Sequence, residues 1–242
     1  MKIKKKKLDQ YQLIFDNNSK LTVYGNVIIN NKLLNNKVID HILLDKIHNE
    51  NIECDCYHKA LKYIRFRIRS IKEVTQYLQG KYFDQKLITK VINQLIKERY
   101  LDDVAFIKAF IHDKMTINMW GPVKTFYTLK EKHGIKDTQL DEVLINSKLM
   151  TSNMLKIINN ILKTNTRLST KGVQHKIYTK LLALGYQKED ILEHIKDVKI
   201  DEAKIYQQEY QRWYNKLSLN YHGDELDKII KEKLWRQGFN GN

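Results

Sequence analysis

The sequence predicts a mainly α-helical protein: tandem repeats of three-helix units forming an elongated, curved body, with a small β-hairpin region at the N-terminus. Three observations support this prediction. The 242 residues include only 9 Gly and 1 Pro, and helix-favouring residues dominate. Apolar side chains recur at helical spacing over most of the chain. A short sequence marker also returns about every fifty residues, as tandem repeats require.

The marker is a leucine followed five residues later by an aromatic residue. It occurs in LQGKYF from Leu78, in LLALGY from Leu181 and in LWRQGF from Leu234, while LKEKHGI from Leu129 carries one extra residue. The four leucines lie 51, 52 and 53 residues apart. We therefore predict an N-terminal region at 1–53, three-helix repeats at 54–101, 102–150 and 151–200, and a partial repeat at 201–242.

The N-terminal region differs from the remainder of the chain. YQLIFD (11–16) and KLTVY (20–24) alternate apolar and polar residues around NNS, and this pattern predicts a β-hairpin. Between Val27 and His48, asparagines interrupt the apolar pattern and predict short helices.

The first repeat carries the strongest helix signals. Ser70 and Glu73 have the spacing of a capping box and begin its second helix. Asp84 begins a third helix with an apolar stripe from Leu87 to Ile96.

The second repeat begins with YLDDVAF, in which Asp102 or Asp103 caps a helix containing Phe106. Gly121 and Pro122 begin its second helix, because proline suits the first turn. Asp137 precedes a third helix through Leu140, Val143 and Leu144. The two later repeats continue the apolar pattern with Val173, Ile177, Leu181, Leu226 and Ile230.

The excess of 43 Lys+Arg over 28 Asp+Glu, a net charge of +15, favours a polyanionic partner. A set of lysine-rich but merely solvated helix faces remains the alternative. RFRIR is the densest arginine cluster and the best candidate contact patch, and the second helices of later repeats supply weaker candidates. The candidate residues are Lys62, Arg65, Arg67, Arg69, Lys72, Lys124, Lys130, Lys132, Lys171, Lys176, Lys180 and Arg236.

The other constellations do not indicate an enzyme or a cofactor. His48, Cys54, Cys56 and His58 are close in sequence, but their C-x-C spacing differs from that of structural zinc sites. No phosphate-binding loop or hydrolase motif occurs. We predict no metal, no cofactor and no small-molecule substrate. The two cysteines and the lack of a membrane span or secretory signal predict a cytoplasmic protein without a membrane partner.

Two stretches resemble the RecX family of recombination regulators. The second repeat matches the family pattern at Asp102, Asp103, Phe106, Gly121, Pro122, Leu129, Lys132, Gly134 and Ile135, and the first at Arg69, Ser70, Glu73 and Leu78. Ile107, where the family usually has alanine, and the extra residue after Leu129 depart from the pattern. The resemblance implies tandem three-helix modules that bind the RecA filament on single-stranded DNA and inhibit ATP hydrolysis, strand exchange and filament growth or persistence. Double-stranded DNA is a further candidate partner.

Two other functions remain open from the residues themselves. A helical repeat protein that binds nucleic acids without recombinase specificity fits the charge equally well. A nuclease using Asp102 and Asp103 with a divalent metal would need further carboxylates nearby, and the stretch offers only His112 and Asp113.

Overall fold

The protein is described from a computed structural model, which covers residues 1–7, 9–34, 38–81, 83–141 and 146–239. These residues form three β-strands and twelve α-helices. The predicted class, mainly helical with a small β region at the N-terminus, is confirmed. The chain divides into two compact units, Met1–Ile107 and Lys108–Asn242. The division into an N-terminal region and four repeats stays a prediction.

The N-terminal sheet has three antiparallel strands where the sequence predicted two. β1 (Lys2–Lys7), β2 (Gln10–Ile14) and β3 (Lys20–Tyr24) lie in that order. The hairpin of β2 and β3 was predicted, and β1 was missed because lysines fill five of its six positions. Its single apolar residue, Ile3, pairs with the buried Leu13 and packs against the same apolar cluster.

Of the short helices predicted between Val27 and His48, the structure has one, followed by the start of a long helix, and residues 35–37 lie outside the described residues. After α1 (Gly25–Asn30), a single helix of 24 residues, α2 (His41–Ile64), follows the cap residue Asp40. Asn51 lies inside α2, where it accepts the backbone N–H of Tyr24 at 3.0 Å and donates to a β3 carbonyl. The asparagine therefore joins the helix to the sheet and does not interrupt it.

Helices α3 (Ile71–Gln79) and α4 (Gln85–Lys97) pack with the end of α2 around one apolar cluster. Ser70 and Glu73 form the full capping box of α3, and Asp84 caps α4. Tyr82, in the predicted turn between these helices, lies outside the described residues. The core members are Cys56, Ala60, Val74, Leu78, Ile88, Val91, Ile92, Leu95 and Leu101.

The helices of the predicted second repeat are α5 (Asp103–Thr116), α6 (Pro122–His133) and α7 (Asp137–Leu140). Pro122 occupies the first position of α6, where its missing N–H has no intrahelical partner to lose. Val143 and Leu144, which the sequence assigned to the third helix, lie outside the described residues.

Helices α8 (Ser147–Lys163), α9 (Thr170–Leu184) and α10 (Lys188–Ile195) enclose a second apolar cluster, centred on the buried face of α9. Helices α11 (Glu202–Leu217) and α12 (Gly223–Arg236) enclose a further one. The core residues of α9 are Val173, Ile177 and Leu181, and those of α12 are Leu226, Ile230 and Leu234.

The repeat marker is a helix C-cap. In LLALGY, Gly185 adopts the left-handed conformation at φ 86°, and the N–H of Tyr186 donates to the carbonyl of Leu181 at 3.2 Å. LWRQGF closes in the same way at the end of α12, and both are Schellman motifs. In LKEKHGI, Ile135 bonds one residue further back, to Leu129, so the extra residue is absorbed by a wider turn.

Candidate nucleic-acid interface

The N-terminus of α6 docks onto the C-terminus of α9 through the backbone. Gly121 donates its N–H to the carbonyl of Leu184 at 2.8 Å, and Val123 donates to Gly185 at 3.0 Å. A Cβ on Gly121 would lie 2.3 Å from the carbonyl oxygen of Gly185, so glycine is required for the approach. Each helix end supplies the partner that the other lacks, with favourable alignment of partial charges.

A second junction of the same kind joins the N-terminus of α9 to the C-terminus of α12. Ser169 donates its N–H to the carbonyl of Gln237 at 3.2 Å. A Cβ on Gly172 would lie 2.6 Å from that same oxygen. Helices α12, α9 and α6 are therefore linked end to end, although long stretches of sequence separate them.

The junction between α9 and α12 creates an open groove of about 730 Å³ with a basic lining. Lys171, Lys176 and Lys180 come from α9, and Arg236 comes from the last turn of α12. All four side chains are exposed, and no carboxylate lines the groove among the described residues. The structure therefore brings four of the predicted contact residues together in one place, which we call the basic groove.

His175 also lines the basic groove and was missed from the sequence. It lies one helical turn after Lys171 and therefore on the same side of α9. Helical spacing from an already suspected lysine was the available signal.

The candidates on α6 are arranged differently. Lys124 donates to the carbonyl of Ala183, a groove residue, at 3.2 Å, and its ammonium group lies 4.6 Å from the centre of the Trp120 ring. The ammonium group of Lys124 therefore contributes one of its hydrogen bonds to the contact between α6 and α9. Lys130 forms an ion pair with Asp137, and Lys132 is exposed on α6 outside the groove lining.

Two of the three arginines of RFRIR are held by one carboxylate. Arg67 and Arg69 both form ion pairs with Glu73, and Arg69 also stacks over the Tyr63 ring at 4.0 Å. Arg65 is exposed at the C-cap of α2. Of the flanking lysines, Lys62 is exposed and Lys72 is half-buried. The free charge of this patch is therefore smaller than the sequence suggests.

Replacing Arg67 and Arg69 together with alanine should lower the free energy of unfolding by about 1 kcal/mol, because the two ion pairs with Glu73 beside the α3 capping box would be lost. Arg65→Ala should leave stability unchanged. Thermal melts followed by circular dichroism will measure both. Equal melting temperatures for the two variants would mean that these ion pairs contribute nothing to stability.

The adjacent aspartates that begin α5 hold backbone N–H groups of two different helices. Asp102 accepts the N–H groups of Val104 and Ala105, at 2.8 and 3.1 Å, and so caps α5 itself. Asp103 accepts the N–H of Ile71, the first residue of α3, at 2.9 Å. Both carboxylates therefore accept backbone N–H groups at helix N-termini.

Asp103 lies 32 residues after Ile71, the first residue of α3, and an acidic acceptor occurs at the same distance from the first residue of α9. Glu202 accepts the N–H of Thr170 at 3.2 Å, and the preceding Asp201 caps α11. The first residue of α6 is Pro122, and 32 residues after it the sequence has the buried Met154 in place of an acidic residue. Proline has no N–H to satisfy, which explains an apolar residue at that position. The recurrence identifies the Asp102–Asp103 pair as a structural device.

Burial raises the pKa of Asp103, and the neighbouring Asp102 carboxylate acts in the same direction, while the N–H of Ile71 opposes them. A carboxyl group whose pKa is raised on folding favours the folded state most when protonated, and this contribution is lost as pH rises through the folded pKa. Asp103→Asn keeps an acceptor for Ile71 without the buried charge. We therefore expect its stability relative to wild type to increase as pH rises above the ordinary aspartate pKa of about 4.

Asp103→Ala is the matched comparison, because it leaves the N–H of Ile71 without its acceptor and should cost about 1 kcal/mol at neutral pH. Urea unfolding at several pH values will measure both variants. A stability difference between Asp103→Asn and wild type that does not change with pH would contradict the assignment.

The cysteines and histidines of α2 are part of the packing around that helix. Cys56 is fully buried, and burial raises the pKa of its thiol to about 11 and also raises that of Cys54. His58 stacks on the Tyr24 ring at 4.4 Å, and His48 is exposed. In the part of the chain that the structure describes, no three His, Cys, Asp or Glu side chains are grouped to hold a metal ion.

Fold and groove together define a class: a mainly helical protein with a basic groove where the N-terminus of one helix meets the C-terminus of a helix distant in sequence. A family model for the first three-helix domain of RecX matches residues 56–95. Regulatory protein RecX of Streptococcus agalactiae serotype III is 30% identical over 194 residues, which cover 74% of this chain and 71% of that protein. The chain belongs to the RecX family of regulatory proteins.

Further relatives and solved structures agree with this membership. Regulatory protein RecX of Bacillus velezensis is 27% identical over 243 residues, covering 97% of this chain and 91% of that protein. The crystal structure of RecX from Lactobacillus salivarius matches with a TM-score of 0.54 and 26% identity, covering 59% of this chain and 93% of that one. A second crystal structure of a regulatory protein RecX, at 18% identity, has the same fold, with a TM-score of 0.68 over 81% of this chain and 98% of that one. No described helix is long and apolar enough to cross a membrane.

Proposed function

We propose that this protein binds RecA recombinase filaments on single-stranded DNA and inhibits their ATP hydrolysis, strand exchange and growth. Membership of the RecX family of regulatory proteins supports the regulatory role. The observation that carries the proposal to this chain is the basic groove, in which side chains of α9 and α12 converge without a carboxylate in the described lining.

The groove suits an extended polyanion. Lys171 and Lys180 are nine residues apart on α9, which corresponds to about 13 Å along a helix, and Lys176 lies between them. Single-stranded DNA carries one phosphate per roughly 3.4 Å of each strand, so neighbouring phosphates can face Lys176 and Lys180, which are about one helical turn apart on the same side of α9. Lys171 lines the groove from half a turn further around the helix axis. Arg236 adds a planar guanidinium group, which can bind a phosphate with two parallel hydrogen bonds.

The test is ATP hydrolysis by RecA on single-stranded DNA while this protein is titrated in below the recombinase concentration. Loss of hydrolysis at a ratio well under one protein per recombinase is the expected result, because a filament regulator acts on many subunits at once. Loss only when the protein is abundant enough to cover the DNA would overturn the proposal in favour of competition for phosphates.

A nucleic-acid-binding protein without recombinase specificity is the alternative that the same groove supports. It predicts binding to bare single-stranded DNA with a slope of about −0.7 per phosphate contact in a plot of log affinity against log salt. It also predicts no difference between bare DNA and RecA-coated DNA. Binding measured on both substrates at one salt concentration separates the two functions.

A further inference from the structure

The outer face of the N-terminal sheet is rich in lysine. Residues directly opposite one another in antiparallel strands point to the same face. The pairs across the sheet are Lys2 with Ile14 and Lys4 with Gln12, then Ile14 with Lys20 and Gln12 with Thr22. A bulge shifts the end of β1 so that Lys7 lies opposite Gln10, which is on the same face as Gln12.

The opposite face of the sheet belongs to the core. Leu13 and Val23 are fully buried there, and Ile3 and Leu21 pack against the same cluster. Because side chains alternate along a strand, Lys2, Lys4 and Lys20 must point away from this core. We call their side of the sheet the lysine face.

The lysine face is uncompensated by acidic groups on its strands. Lys2, Lys4, Lys7 and Lys20 are all exposed, and the three strands contain no Asp or Glu. The carboxylates of the adjoining turns have other partners. Asp16 pairs with the N-terminal ammonium group at 3.0 Å, and Asp9 lies 4.0 Å from the His58 ring nitrogen.

We propose that the lysine face binds the sugar–phosphate backbone of duplex DNA. Alternate residues of β1 place ammonium groups about 7 Å apart along the strand, and Lys2 and Lys20 are about 10 Å apart across it. Duplex DNA carries one charge per roughly 1.7 Å of axis, twice the density of a single strand, so a flat array of cations gains most from a duplex.

The composition of the face favours a duplex over the other polyanions. Binding of single strands relies on aromatic side chains that stack on bases. Among the described residues of this face no aromatic ring is exposed, because Tyr24 is buried and stacks on His58. An anionic membrane would attract the same lysines, but strong membrane binding also uses buried apolar area. Among the described residues of this face, the large apolar side chains are the half-buried Ile14 and the buried Tyr24. The contact is therefore electrostatic and independent of base sequence.

This inference goes beyond the proposed function, because it needs neither RecA nor the basic groove. The experiment measures binding of the full-length chain to a labelled 30-base-pair duplex by fluorescence anisotropy between 50 and 200 mM salt. The variant is Lys2→Gln, Lys4→Gln and Lys20→Gln combined. The control removes the same charge from exposed helical positions: Lys86→Gln, Lys97→Gln and Lys108→Gln.

In a plot of log affinity against log salt, the slope of the lysine-face variant should be less negative than that of wild type by about 2.7, the contribution of three phosphate contacts. Its affinity should fall roughly tenfold at 100 mM salt, while the control keeps the wild-type slope. Equal changes in variant and control would overturn the proposal, because net charge alone would then be responsible.

Two further measurements can also overturn it. A single-stranded oligonucleotide of equal length should show a smaller change in slope, and an equal or larger change would exclude the duplex as the preferred ligand. Phosphatidylserine vesicles should bind variant and wild type alike. Loss of vesicle binding with unchanged duplex binding would assign the face to membranes. Light scattering and circular dichroism confirm that the variant remains folded and monodisperse.

Discussion

Gly121→Ala is expected to lower the free energy of unfolding of the second compact unit by about 3 kcal/mol. The added methyl group would lie 2.3 Å from the carbonyl oxygen of Gly185, a backbone atom that cannot turn aside. Separation of the two helix ends would also break the hydrogen bonds from Gly121 and Val123. For a unit of this size, the melting temperature should fall by about 6 to 12 °C.

Gly80→Ala is the matched control. Gly80 has a helical φ of −65°, and the nearest atoms to an added Cβ are 3.5 Å away. The substitution should leave stability unchanged or raise it by less than about 1 kcal/mol. Calorimetry compares the two variants, and hydrogen exchange at the Gly121 and Val123 amides reports the junction directly. Wild-type melting and exchange in Gly121→Ala would mean that α6 does not dock onto α9 in solution.

Replacing Lys171, Lys176 and Lys180 with glutamine should raise the concentration needed to inhibit RecA at least about tenfold, a loss of roughly 1.4 kcal/mol. The three side chains are exposed and make no ion pair in the part of the chain described, so folding should be unaffected. The readout is the substoichiometric ATP hydrolysis assay, repeated at low and high salt, because the difference should shrink as salt screens the contact.

The control for the groove variant removes equal charge nearby, through Lys196→Gln, Lys199→Gln and Lys204→Gln. These lysines are exposed near the end of α10 and the start of α11 and do not line the groove. The control should inhibit as well as wild type. If both variants inhibit like wild type, the basic groove does not contact the filament, and the RFRIR patch around Arg65 becomes the next surface to test.

Much of the helical architecture could be predicted because its signals are local. The capping box at Ser70 and Glu73, the Asp84 cap and the apolar stripes of α4 and α9 each lie within a few turns of one helix. Failures occurred where a distant partner reverses the local preference. The lysine-rich β1, which the sequence did not predict, forms because it pairs with β2.

The candidate site was predictable only as a set of separate residues. Position on the second helices of the repeats indicated Lys171, Lys176, Lys180 and Arg236, but the sequence did not show that Arg236 lies beside the lysines of α9. The same limit applies to the arginines of RFRIR, whose charge is partly neutralised by Glu73. Ion pairing depends on which side chains are in contact, and the net charge of a sequence does not show which charges are paired.

By itself, therefore, the sequence determined the helical class, the fifty-residue period and the basic character of this protein. These properties follow from hydrogen bonds and apolar contacts between residues close in the chain. The tertiary structure alone decided which helix ends meet, and so placed Arg236 next to Lys171 across 65 residues and Asp103 on the first N–H of α3. Such contacts join backbone N–H and C=O groups that are unpaired at helix ends. The N–H groups of one helix end can bond to the C=O groups of any other helix end, so the packing of the apolar cores decides which two ends are close enough to pair.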